Sequence, residues 1–253
     1  MVKLPRVENV DRMQSRSKNN FGNKMPIFSG AKWTKVALPI DPDVIVTPYD
    51  YLKLFLPDSC IEKIVKETKR YAGQCNNQGF RAIVSIDMIR ASHAIMYLTG
   101  YVSASQRHMY WQRHEDTNNA LVIKAMSRNT FDDVMRYTHF ANVDKPNYND
   151  PFWKVAMLFN TINDTAAKYV EKPEFVSIGE SMVRYFGPHP LKQFMRGKPT
   201  CFGFKVWVMA TTSGELISCT PYGGAKTQMF SYGMGQGPDV VYGLVQKANL
   251  PEG

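Results

Sequence analysis

The chain has 253 residues, a formal net charge of +9, 44% hydrophobic residues and 21% charged residues. The hydrophobic share is enough for a core, which excludes a wholly disordered chain, and the length allows one large or two modest domains. The basic excess fits a polyanionic partner such as nucleic acid and fits equally a merely soluble basic protein.

Residues 1–47 read as a basic, disordered tail. Met1 to Lys35 holds eight Lys and Arg against Glu8 and Asp11, with no helical period. A basic arm of this kind could touch DNA or direct nuclear import, and a solvated linker is the plainer reading. The first ten residues lack the apolar stretch of a secretory signal. From residue 48 the pattern turns helical. Ser59 and Glu62 stand at capping-box spacing, which predicts a helix starting there. Ile61, Ile64, Val65, Thr68 and Tyr71 fall on its inner face, and Gly73 marks its end. A second helix is expected over about 85–99, ending at Gly100. Its apolar stretch is interrupted by Asp87, Arg90 and His93, so it reads as a buried helix and not a membrane span. A third helix follows Ser127, with Phe131, Val134, Met135 and Thr138 on one side. A fourth starts near Pro151, proline being favoured in a first turn, and buries Phe152, Val155, Phe159, Ile162, Ala166 and Tyr169.

The period changes near Lys172. Phe175 to Tyr185 reads as a strand. In the stretch from Phe202 to Met209, Phe204, Val206 and Val208 share one face while Lys205, Trp207 and Met209 share the other. The turn cluster at 211–214 precedes a third strand from Glu215 to Tyr222, and a helix is expected near 238–248. The strands alone would permit any α+β domain. Cysteines 60, 75, 201 and 219 form no C-x-x-C pair, which argues against zinc and suits reduced intracellular thiols.

One run carries more than pattern. Val176-Ser-Ile-Gly-Glu-Ser-Met-Val-Arg-Tyr-Phe-Gly-Pro-His189 is followed by Lys192-Gln, Arg196-Gly-Lys-Pro199 and Gly203-Phe-Lys205. It resembles the start of the catalytic core of piggyBac-type transposases, which read roughly S-(I/V)-D-E-S-M, then G-R-H, K-Q, R-G-K-P and G-(Y/F)-K. Met109-Tyr-Trp-Gln-Arg-His-Glu-Asp-Thr117, Ala125-Met-Ser-Arg-Asn-Thr-Phe131 and His139-Phe-Ala-Asn142 resemble the helical region before that core. The resemblance spans about 75–253.

The resemblance implies an α+β protein in three parts. These are the tail over 1–47, a helical DNA-binding and dimerisation region over 48–170, and a partial RNase H-like core over 171–253. It implies DNA as partner, a homodimer or a related transposase as a second partner, a nuclear location and no membrane. It also implies that strand transfer is lost. The family's first metal-binding Asp falls at Gly179, which offers no ligand, and its second catalytic Asp would lie beyond Gly253. A two-metal site needs such carboxylates for its Mg²⁺. Glu180 points to the other face of the strand and is no substitute. No catalytic residue, metal site or cofactor is therefore assigned. An active or fragmentary transposase and an interaction protein remain as alternatives. On the same resemblance, the segment 175–185 would have one edge left unpaired.

Arg184, Lys192, Arg196, Lys198 and Lys205 lie in a window with no Asp or Glu. Family members position DNA phosphates around this part of the core, so these five are the candidate DNA ligands; a generic basic loop is the plain alternative. Pro188 stands where the family has Arg, and His189 reads as a polar loop residue. Tyr232 to Pro238 is glycine-rich without a phosphate-loop lysine and reads as a flexible entry to a helix. Tyr110, Trp111 and Arg113 could stack on DNA, but packing in the helical region is the simpler reading.

Overall fold

A computed structural model describes the backbone of Val2–Lys3 and residues 47–112, 114, 117–170, 175–224, 227 and 233–248. Nearly all of the expected tail, together with Arg113 and Tyr232, lies outside the described residues. The chain divides into two compact units. One comprises residues 52–148 and 153–158; the other comprises 1–51, 149–152 and 159–253.

The helical unit is built from the end of α1 (Pro48–Phe55), α2 (Asp58–Gln74), α3 (Gln78–Ile83), α4 (Ile86–Tyr101), a 3-10 turn (Arg107–Trp111), α5 (Ala120–Ala125), α6 (Arg128–Tyr137) and the start of α7 (Ala156–Tyr169). Its core gathers Ile61, Ile64, Phe80, Ile89, Ile95, Val122, Phe131 and Val134. The helix starts at Ser85 and Ser127 are real caps. Ser85 Oγ accepts from the Met88 amide at 3.3 Å and Ser127 Oγ from the Thr130 amide at 3.2 Å.

Three sequence expectations shift. The capping box expected at Ser59 and Glu62 is absent, because α2 begins at Asp58 behind Pro57 with no side-chain cap bond. The reciprocal geometry occurs instead at α1. There Asp50 accepts from the Thr47 amide at 2.9 Å, while Thr47 Oγ1 accepts from the Asp50 amide at 3.4 Å. The stop of α2 is not Gly73. Asn76 takes φ 57°, and the amides of Asn76 and Asn77 donate to the carbonyls of Gly73 and Ala72 at 3.1 and 2.9 Å. That pair of bonds is a Schellman closure with Asn in glycine's usual place. Lastly, Pro151 to Val155 form turns, so α7 begins at Ala156.

Tyr110 and Trp111 are packing residues. The Tyr110 hydroxyl donates to the Val102 carbonyl and accepts from the Ala104 amide at 3.1 Å. Trp111 Nε1 donates to the Met126 carbonyl at 2.7 Å.

The second unit is an antiparallel sheet with helix cover. Its strands are β1 (Val2–Lys3), β2 (Phe175–Arg184), β3 (Gln193–Phe194), β4 (Phe202–Thr211) and β5 (Leu216–Pro221). β2 pairs β4 without a break from Val176 opposite Thr211 to Arg184 opposite Gly203. β3 and β5 follow one another along the other side of β4. Among the described residues the outer side of β2 meets only β1, at Phe175 and Val176. α8 (Gln236–Lys247) contributes Val240, Leu244 and Val245 to a core with Val176, Met209 and Ile217. Its entry is the glycine-rich stretch, with Gly235 at φ 99° in the N-cap position. The α+β class expected from sequence is the class observed.

The sheet is closed at its β5 edge by a side chain. Asn163, in α7, donates Nδ2 to the Cys219 carbonyl and accepts from the Cys219 amide through Oδ1, both at 2.8 Å. Asn163 thereby does for β5 what a further strand would do. Burial pushes the Cys219 thiol up to about 11, opposed by the nearby Lys247 ammonium. Burial lowers the pKa of Lys247, opposed by Cys219 and Asp150. Lys247 Nζ donates to Thr220 Oγ1 at 2.8 Å.

Candidate nucleic-acid interface

Of the five candidate cations, Arg184 is in β2, Lys205 in β4, and Lys192, Arg196 and Lys198 in the loops on either side of β3. Arg184 ends β2 and is exposed. The chain then turns through Pro188, His189 and Pro190. His189 Nδ1 accepts from the Leu191 amide at 3.1 Å, and its ring meets Phe204 edge-on at 4.9 Å. His189 therefore holds the loop's shape, as a polar loop residue would. Lys192 follows, its Nζ 3.5 Å from the Phe186 carbonyl and 6.0 Å from the centre of the Phe202 ring. Arg196 is exposed in the turn between β3 and β4. Gly197 beside it takes φ 85°, a conformation that favours glycine.

The other two cations have closer internal partners than Lys192. Lys198 Nζ donates to the Glu180 carbonyl at 3.1 Å. Lys205 Nζ sits 4.2 Å from the Trp207 ring and 4.0 Å from the Tyr222 ring, a two-sided cation–π contact. Both side chains are half-buried. Their charge adds to the local field, while Arg184, Lys192 and Arg196 carry the groups that can reach a phosphate.

Gly203 of the last signature block has a structural reason. A Cβ there would stand 2.0 Å from the Val183 carbonyl oxygen, so only glycine lets β2 and β4 approach at this point. Gly179 is the opposite case. It is exposed, and a Cβ added to it would meet nothing within 4 Å. Packing does not demand glycine there. Opposite it stands Val208, whereas Glu180 lies opposite Trp207, on the other face. Gly179 offers no donor, and among the described residues no group of three or more His, Cys, Asp and Glu is placed to hold a metal ion. No helix among the described residues is long and apolar enough to cross a membrane.

Sequence reasoning missed Phe202. Its ring is 51% exposed and lies 4.7 Å from that of Phe194, which is 61% exposed. β3 has only two residues, too few to show a period, so the pairing that joins these rings left no signal in the sequence.

Residues 47–251 match a family model described as Transposase IS4. The human PiggyBac transposable element-derived protein 3 is 35% identical over 219 residues, covering 81% of this chain and 36% of that protein. The human PiggyBac transposable element-derived protein 2 is 35% identical over 176 residues, covering 70% of this chain and 29% of that protein. The chain thus spans about a third of the length of these relatives. A piggyBac transposase solved by cryo-electron microscopy as a synaptic complex with hairpin DNA matches with a TM-score of 0.71 at 21% identity. That match covers 80% of this chain and 44% of that one. A matched family model over most of the chain and relatives of one kind agree with the signature blocks, and the chain belongs to the piggyBac transposase-derived family.

Proposed function

We propose that this chain binds DNA in the nucleus without cutting it. The observation that carries the reading is the pair of exposed cations Arg184 and Arg196 with the half-buried Lys192 between them in sequence, in a stretch with no acid between Glu180 and Glu215. Cations of this kind position a phosphate backbone without choosing sequence. Lys198 and Lys205 add charge to the same region. The solved transposase was captured with hairpin DNA, which supports the partner assignment. In this reading the sheet unit stands for an RNase H-like core. The helical part over 48–170 grips DNA and pairs with a second copy or a related transposase.

The absence of cleavage rests on Gly179. The resemblance puts the first of three metal-binding carboxylates there, and glycine supplies none. The residues present at that position do not fit Mg²⁺, and no catalytic step is assigned through a metal.

The test is a mobility-shift titration of the purified chain with a transposon-end duplex and a random duplex over a salt series, with parallel incubation in Mg²⁺ and Mn²⁺. Both duplexes are retarded with similar affinity, and binding weakens as salt rises. No shift at low salt refutes DNA binding. Chelator-sensitive nicking of the transposon-end duplex refutes the loss of cleavage.

A further inference from the structure

We infer that the exposed ring pair Phe194 and Phe202, with Lys192 beside it and the exposed Phe186, Arg184 and Arg196 in the flanking segments, forms a stacking platform for unpaired nucleotides. The inference rests on the DNA-binding reading and names the form of DNA this surface takes. Phe186 is 82% exposed, the highest value among the described large hydrophobic side chains, and Phe194 and Phe202 are 61% and 51% exposed. Single exposed apolar residues are ordinary on a protein surface. Phe194 and Phe202 are joined by geometry, and Lys192 links the Phe186 backbone to them. Phe194 and Phe202 are register partners across β3 and β4, with their planes 35° apart. Lys192 stands between Phe186 and Phe202, its Nζ near the carbonyl of one and the ring of the other. Arg184 is opposite Gly203, so its side chain leaves the strand on the face away from Phe202 and adds charge at the rim of the ring pair.

Charge decides the class of partner. Rings interleaved with cations, and no acid in the whole stretch, complement a polyanion that also offers flat apolar faces. Nucleic acid with unpaired bases is such a polymer: bases stack on the rings while phosphates meet the cations. A duplex hides those faces inside its stack, so it engages the cations alone. Strand addition by another protein chain is poorly served here, since β3 offers only two residues of edge.

The experiment compares a fluorescent single-stranded oligonucleotide with the duplex of the same sequence, both titrated with the full chain and read by anisotropy. A 2-aminopurine in the single strand reports stacking directly. The perturbation is the double variant F186A/F194A, whose side chains are mostly in water, with F186Y/F194Y as the conservative control. The alanine variant loses about 5- to 150-fold in single-strand affinity for each base unstacked. It also loses the 2-aminopurine quench and keeps duplex affinity, and the tyrosine variant restores binding. Equal loss on both DNAs overturns the stacking role and leaves the DNA-binding reading intact. Unchanged single-strand affinity overturns it as well, including the case in which the alanine variant dissociates a dimer and the face proves to join two copies. Failure of the parent chain to bind either DNA overturns both this inference and the function proposed above.

Discussion

Replacing Asn163 by Leu removes two hydrogen bonds and little else. Leu is close to isosteric with Asn, so no cavity opens, and its apolar side chain suits a site where Asn163 is only 6% exposed. What remains is the Cys219 amide and carbonyl, each having lost a 2.8 Å partner in a residue that is 5% exposed. An orphaned buried polar group costs about 1–3 kcal/mol, so the pair costs roughly 2–6 kcal/mol. For a chain of this length, each kcal/mol moves the melting point by about 2–4 °C, which gives a fall of roughly 4–24 °C. Asn163→Asp keeps only the acceptor and places a charge there, so it destabilises as well. Thermal melting gives the size of the loss. Hydrogen exchange on peptides covering 216–221 shows whether the β5 edge is what opened. If the Leu variant melts within about a degree of the parent and the Cys219 amide stays protected, Asn163 does not close the sheet.

Two further predictions concern the same unit. Because the folded Cys219 pKa is raised to about 11 from 9.0, the folded state holds the proton more tightly than the unfolded chain. Its stabilising contribution is full below pH 9 and falls by about 2–3 kcal/mol as pH rises toward 11. The loss should disappear from a C219A difference curve in urea titrations at the two pH values, and identical curves for parent and variant contradict the buried-thiol account. Gly203→Ala forces a Cβ onto the Val183 carbonyl and should be severely destabilising, while Gly179→Ala, in open space, should be neutral or stabilising by up to about 1 kcal/mol. Melting curves that rank the two variants the other way refute the close approach of β2 and β4.

Local chemistry made much of the fold legible. Ser85 and Ser127 announced their helices because the cap is made within three residues. The strand over 202–211 showed its alternation because it is long enough to carry it, as the two-residue β3 is not. Gly73 misled because the Schellman closure at Asn76 depends on a left-handed residue that Asn adopts almost as well as Gly. Pro151 misled because a proline that suits a first turn suits other turns too. At the candidate site, the sign and clustering of the cations could be read directly. The capture of Lys198 by the Glu180 carbonyl and of Lys205 by Trp207 and Tyr222 could not, since the first depends on how the loop before β4 meets β2 and the second on the register of β4 against β5. The signature blocks mixed two kinds of residue, those that hold the sheet and those that face solvent, and only coordinates separate them.

The central claim is that Arg184, Lys192 and Arg196 carry the DNA contact. The most direct measurement is the slope of log affinity against log salt for a random duplex, taken for the parent, for R184Q/K192Q/R196Q and for K198M. Each phosphate contact contributes about 0.9 to the slope, so three give about 2.7. The triple variant should flatten the slope by about that amount while keeping its melting point. K198M should leave the slope unchanged and lower stability by about 1–2 kcal/mol through the lost bond to β2. A triple variant with the parent's slope and affinity would contradict the claim and leave these residues a solvated loop.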